Sequence, residues 1–173
     1  DALDFLCEHG YEFDVIHASP PCQGYSRMRH LPWLKGRVWP KLIEPIRDAL
    51  QATRRPYVIE NVVGAPLVEP IMLCGQMFKL KLFRHRLFEC SEFLMQIPHT
   101  AHTEVIGHGK MLNDRRGPNA NGFVSVIRGD TAAARLALGC PWMTRDELCD
   151  AIPPAYTEWI GRRLQEILKV NLT

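Results

Sequence analysis

Phe13-Asp14-Val15-Ile16-His17-Ala18-Ser19-Pro20-Pro21-Cys22-Gln23 is the stretch that decides the fold of this chain. Its first half is an apolar run of the kind that forms a buried parallel strand. Ser19-Pro20-Pro21-Cys22 follows as a loop. Two consecutive prolines restrict φ and remove two backbone donors, so the loop is stiff and holds Cys22 at the strand's end. Further along, Leu42 to Thr53 places Leu42, Ile43, Ile46, Ala49 and Leu50 on one helical face, with Pro45 tolerable within the first turn. Pro56-Tyr57-Val58-Ile59 then reads as a second strand, opening onto Glu60-Asn61-Val62. Strand, helix and strand in that order predict parallel pairing through a right-handed crossover, and so an α/β fold. Ligands of such sheets bind beyond the carboxyl ends of the strands. The two strands therefore offer a thiol, Cys22, and a carboxylic acid, Glu60, to one cleft.

Outside this unit the pattern is more varied. Ala2 to Glu8 reads as a short helix ended by Gly10, and Gly24 to Trp39 as a basic loop carrying Tyr25, Trp33 and Trp39. Met72 to Phe78 is compact and apolar and reads as a short helix. Leu80 to Phe88 reads as a strand with both faces in use. Pro98 to Asn121, rich in His, Gly, Pro and Asn, reads as an irregular loop, and Gly122 to Arg128 as a short strand. Helices are predicted over Thr131–Leu138, from the capping box Thr144-Arg145-Asp146-Glu147, and over Ala155–Val170. There is no internal repeat.

A chain of 173 residues, 46% hydrophobic and 23% charged, is long enough for one globular domain with a real core. It has no apolar run long enough to span a membrane, and Asp1-Ala2-Leu3-Asp4 lacks the basic region of a signal peptide. The formal net charge of +2 does not announce a nucleic-acid binder, but the distribution is uneven. Arg27, Arg29, Lys35, Arg37 and Lys41 follow one another with no acid between them. Lys79, Lys81, Arg84 and Arg86 form a second group, and Lys110, Arg115 and Arg116 a third. Such groups either track phosphates or are solvated loop charges. The six cysteines form no C-x-x-C pair. Cys90, His99 and His102 can be drawn as a partial zinc site. Without a second close cysteine pair they read as ordinary buried or loop residues, and no metal is expected.

Pro21-Cys22-Gln23 and Glu60-Asn61-Val62, in this order and at strand ends, resemble the nucleophile and acid motifs of the DNA (cytosine-5) methyltransferases. Leu82-Phe83-Arg84-His85-Arg86 resembles the family's next motif, Gln-x-Arg-x-Arg, with both arginines kept and the glutamine lost. Ala134 to Pro141 resembles the motif that supports the target-recognition region. Cys149-Asp150-Ala151-Ile152-Pro153 stands where the family has Gly-Asn-Ser/Ala-Val-Pro, and the ending through Tyr156 resembles the compact phage-type members. The resemblance covers nearly the whole chain.

It implies methyl transfer from S-adenosylmethionine to carbon 5 of a cytosine flipped out of double-stranded DNA. Carbon 5 is a poor nucleophile until a thiolate adds at carbon 6, the role implied for Cys22. Glu60 is implied as the acid at ring nitrogen 3, and burial would raise its pKa toward that task. Arg84 and Arg86 are candidates for holding the exocyclic oxygen, Arg86 being the better match by register. Pro21, Gln23 and Asn61 support the nucleophile loop. Asp1, Pro20, Asp150 and Ala151 fall at cofactor-contacting positions. Arg27, Arg29, Lys35 and Arg37 are placed on DNA phosphates, where they set affinity more than sequence choice. The implied layout is a catalytic part over 1–90, a short target-recognition region over 91–126 and helices over 127–173 that return to the catalytic part. It also implies the cytoplasm of a bacterial or phage-infected cell, and a role such as restriction-modification.

The family's Phe-x-Gly-x-Gly loop, which cradles the methionine part of the cofactor, and its ribose-binding acid have no counterpart in these residues. The expected fold is therefore a partial Rossmann-like methyltransferase sheet without its first strands, joined to a small irregular recognition region. The cofactor motif would be supplied by a separate chain or segment, and the 173 residues alone would transfer little or no methyl. Two other readings stay open, a non-catalytic DNA-binding remnant and one half of a split methyltransferase. A thymidylate-synthase-like thiol enzyme shares the attack at carbon 6 but leaves Glu-Asn-Val and Arg-x-Arg unexplained. Whether the substrate is DNA or RNA is open at this level.

Overall fold

The structure is a computed structural model that describes residues 1–26, 30–34, 36–99, 101–102 and 130–171. The chain divides into two compact units. One comprises Asp1–Met72 with His85–Gln96, the other Leu73–Arg84 with Ile97–Thr173. The described residues form a mixed α/β structure with a four-stranded mixed sheet.

In the N-terminal unit, α1 (Ala2–His9) begins at Asp1, whose carboxylate accepts from the backbone N–H groups of Leu3 and Asp4 and so satisfies two donors a helix start leaves orphaned. It ends at Gly10, whose φ of −57° is ordinary right-handed helix. The glycine is required by space instead, because a Cβ there would lie 2.5 Å from the Thr53 methyl and 2.9 Å from Leu6. α2 (Ile43–Thr53) carries Pro45 in its first turn and stops where Arg54 adopts a left-handed φ of 56°.

The strands are β1 (Ile16–Ala18), β2 (Tyr57–Asn61), β3 (Ile71–Leu73) and β4 (Arg86–Cys90), in the spatial order β1-β2-β4-β3. β1 and β2 pair in parallel, Ile16 opposite Tyr57 and Ala18 opposite Ile59. β2 and β4 pair antiparallel, Ile59 opposite Glu89 and Glu60 opposite Phe88. Leu50, Tyr57 and Ile59 form a buried cluster against which Leu6, Ile16, Ala18, Ile46 and Leu67 pack. Each fully buried aliphatic side chain of this kind contributes about 1.5–3 kcal/mol.

Three expectations are corrected. β1 is shorter than Phe13–Ala18 and is not buried: His17 is exposed and its neighbours are half-buried. Among the described residues it is an edge strand, with β2 on one side only, so an apolar run here need not be covered on both faces. Met72–Phe78 is not one helix but the end of β3 followed by a single 3₁₀ turn, Gly75–Phe78. Leu80–His85 is not strand, and β4 begins at Arg86 and runs on to Cys90. The cause lies at Gly75, where a Cβ would stand 2.3 Å from the Leu82 carbonyl. The 80–85 segment folds back against that turn, so its alternation reflects local packing rather than a ladder.

In the C-terminal unit, α3 (Thr131–Leu138) is capped by Asp130 and stopped by Gly139 at φ 76°. α4 (Arg145–Asp150) starts with the Thr144–Glu147 capping box. α5 (Pro154–Asn171) takes proline at its first position, where no N–H is needed. Leu82, Ala134, Leu138, Cys140 and Leu148 make the core of this unit. Among the described residues no helix is long and apolar enough to cross a membrane. The predicted strand Gly122–Arg128, the predicted loop after His102, and Arg27, Arg29, Lys35, Lys110, Arg115 and Arg116 lie outside the described residues.

Candidate active site

Parallel pairing brings the carboxyl ends of β1 and β2 side by side. The Cys22 loop leaves β1 next to Ala18, while Glu60 and Asn61 are the last two residues of β2. The loop is held from both directions. Asn61 is 1% exposed, and its side-chain amide donates to the Pro20 carbonyl at 2.9 Å. Its amide oxygen accepts from the Val62 N–H at 3.0 Å, which fixes the amide's orientation. Beyond the thiol, the Cys22 carbonyl accepts from the N–H groups of Tyr25 and Ser26 at 3.0 and 2.8 Å, closing a tight turn. The buried Tyr25 hydroxyl then accepts from the Ile43 N–H at 3.2 Å, tying the loop to the start of α2. Pro20 and Gly24 are buried, Cys22 is half-buried, and Pro21 and Gln23 are exposed. Gly24 is confined, since a Cβ there would meet the Pro40 carbonyl at 3.2 Å.

Glu60 is 6% exposed, an unusual place for a carboxylate. Arg86 answers it, with Nε 3.0 Å from Oε1. The register explains the match. Glu60 stands opposite Phe88, and Arg86, two residues along β4, projects from the same sheet face on the diagonal.

Arg84 has another task. Its guanidinium donates to the Cys149 carbonyl, and its own carbonyl accepts from the Tyr156 hydroxyl at 2.7 Å, all within the C-terminal unit. Of the two sequence candidates, Arg86 is paired with Glu60. Arg37 stacks over the Trp39 ring at 6.0 Å.

The other cysteines are differently placed. Cys7 is exposed on α1, Cys140 is buried, and Cys149 is half-buried in α4. Cys90 ends β4, where burial, and then the Glu89 charge, push its thiol up to about 12. A thiol held so firmly protonated is no nucleophile at neutral pH. Nor does Cys90 head the histidine group drawn from the sequence. Cys74 does: its Sγ lies 3.7 Å from His102 Nε2, which lies 3.1 Å from His99 Nε2. Burial raises the Cys74 pKa, and burial together with the neighbouring His99 lowers that of His102.

The sequence reading missed a second buried pair. Arg47 on α2 grips Glu89 on β4 bidentately, Nε to Oε1 and Nη2 to Oε2 both at 2.7 Å. Nη2 also donates to the Pro66 carbonyl, and Oε2 accepts from the Val68 N–H, both at 2.8 Å. An acid inside an apolar strand run, Leu87-Phe88-Glu89-Cys90, was the available signal.

Beside β1 lies a cleft of about 780 Å³ whose walls include Asp1, Phe5, Phe13, Ile16, Pro20 and Ile46. It suits S-adenosylmethionine only in part. Its apolar wall can take a flat base, but the Asp1 carboxylate is occupied capping α1. Among the described residues, Asp1 is the one acid that lines it for ribose hydroxyls. Asp150 ends α4, and Ala151 packs against the core of the C-terminal unit. The chain has no match among protein-family models, curated proteins or solved structures.

Proposed function

We propose that this chain is the catalytic and recognition portion of a DNA cytosine-5 methyltransferase, and that its sheet is part of a Rossmann-like methyltransferase sheet. The observation that carries the reading is the buried Glu60–Arg86 pair at the sheet end from which Asn61 clamps the Cys22 loop. A thiol on a braced loop and an acid fixed by a guanidinium are what addition to a pyrimidine needs.

In this reading the Cys22 thiolate forms a bond to carbon 6. The carbon 5–carbon 6 π pair shifts through carbon 4 to nitrogen 3, which takes a proton from Glu60. Arg86 holds Glu60 in place and presents a fixed donor toward the ring's exocyclic oxygen. Carbon 5 is then electron-rich. Once carbon 5 has bonded an electrophile, its original hydrogen leaves as a proton to water, the carbon 5–carbon 6 double bond re-forms and expels Cys22 as thiolate, and nitrogen 3 returns its proton to Glu60. S-adenosylmethionine, when bound, supplies the electrophilic methyl group. Alternatives to this reading are one half of a split enzyme and a non-catalytic DNA-binding remnant. The target base lies inside the stacked duplex, so it must be extruded to reach Cys22.

A cofactor-independent assay separates catalysis from mere binding. Adduct formation makes carbon 5 exchange its hydrogen with water, so DNA tritiated at carbon 5 of cytosine should release label in the presence of the chain. Glu60→Gln should slow release about 10²–10⁴-fold, the usual contribution of a positioned general acid. Arg86→Lys, which keeps the charge but loses the planar fork, should fall between that variant and the unaltered chain. No release above the protein-free rate, with DNA binding intact, would leave only the binding reading.

A further inference from the structure

We propose that Cys74, His99 and His102 form a zinc site, an assignment independent of the methyltransferase reading. The three belong to the C-terminal unit, and their donor atoms lie within 4.8 Å of one another. Two of the three separations are close to the spacing a tetrahedral ion imposes. With Zn–S about 2.3 Å and Zn–N about 2.05 Å, sulfur and nitrogen stand roughly 3.5 Å apart and two nitrogens roughly 3.3 Å apart. The observed separations are 3.7 Å from Cys74 Sγ to His102 Nε2 and 3.1 Å between the two Nε2 atoms.

Hydrogen bonding accounts for this convergence less well. Both neighbours approach the same atom, His102 Nε2. A ring nitrogen carries one proton or one lone pair, so it can serve one of them well but not both. A cation among the three donors serves all at once. Thiolate with two imidazoles is a borderline-soft donor set that suits Zn²⁺ and excludes Mg²⁺ and Ca²⁺, which require oxygen.

The surroundings hold the donors in place. Cys74 is fully buried where β3 gives way to the 3₁₀ turn, and its N–H contacts the Met77 sulfur at 3.2 Å. Gly75 allows the Leu82 carbonyl to pass close behind. Phe83 packs on the His102 ring with centroids 3.9 Å apart. The ion would join Cys74 to the His99–His102 segment, a closure between residues distant in sequence, and would so stabilise the C-terminal unit just ahead of residues 103–129.

The test is cobalt substitution. The full chain, reduced and freed of metal with a chelator, is titrated with Co²⁺ and followed by absorption. The expected result is about one equivalent bound, with intense ligand-field bands of tetrahedral cobalt and a thiolate-to-cobalt charge-transfer band. Zn²⁺ should displace the cobalt and bleach both, and should raise the thermal midpoint of the unaltered chain. Cys74→Ala should abolish the charge-transfer band, while Cys90→Ala should leave it intact. His99→Ala should weaken cobalt binding at least about tenfold, serving as a milder variant should Cys74→Ala fail to fold. A chain that gives only the faint spectrum of hydrated cobalt would overturn the proposal and leave a hydrogen-bonded trio. So would a charge-transfer band that survives Cys74→Ala or disappears in Cys90→Ala.

Discussion

DNA carrying pyrimidin-2-one in place of a target cytosine should form a denaturant-stable adduct with this chain, and Cys22→Ala should abolish it. The analogue lacks the 4-amino group that feeds electrons into the ring, so its carbon 6 accepts a thiolate without a methyl donor. Mass spectrometry of the digested adduct should place the base on the peptide containing Cys22. Cys22→Ser should also fail, because a hydroxyl is far less acidic than a thiol and is not ionised at neutral pH. The competing cysteines make the test sharp. Cys90 is held protonated with its pKa near 12, and Cys74 is buried with its pKa raised. An adduct of undiminished yield in Cys22→Ala would end the assignment of this residue.

The largest effect on stability should come from Arg47→Ala. Glu89 is 3% exposed and takes two hydrogen bonds from the Arg47 guanidinium, which reaches the Pro66 carbonyl as well. Removing one partner of a buried pair leaves the other charge desolvated and costs about 3–5 kcal/mol, a large part of the 5–15 kcal/mol that holds a typical domain folded. Urea unfolding should show a correspondingly lower midpoint at little-changed slope. Replacing both partners by apolar residues of similar size, Arg47→Met with Glu89→Leu, should cost much less, since no buried charge is then stranded. A loss below about 1 kcal/mol for Arg47→Ala would mean that water reaches Glu89 and the pair behaves as a surface one.

Much of the fold was legible because its signals are local. The α2 stripe of Ile43, Ile46 and Leu50, the Thr144–Glu147 capping box and the helix over Thr131–Leu138 depend on neighbours within a turn or two. Strand, helix and strand in succession likewise imply the parallel β1–β2 pair, because a helical crossover returns the chain to the same end of the sheet. The thiol at the end of the first strand and the acid at the end of the second could be named as site candidates for the same reason.

What the tertiary structure decided is which residues meet across distance. From sequence, Arg84 and Arg86 are two arginines on one short segment. The β2–β4 register pairs Arg86 with Glu60, and Arg84 donates to the Cys149 carbonyl. The strand predicted at Leu80 begins only at Arg86, because the fold-back onto Gly75 claims the residues before it. Cys90 is nearer in sequence to His99 and His102 than Cys74 is, yet Cys74 stands beside them. Local propensity acts through the backbone of adjacent residues and is written in their order. Ion pairs and metal-like clusters join side chains far apart in the chain, and only the packed register of strands and loops selects their partners.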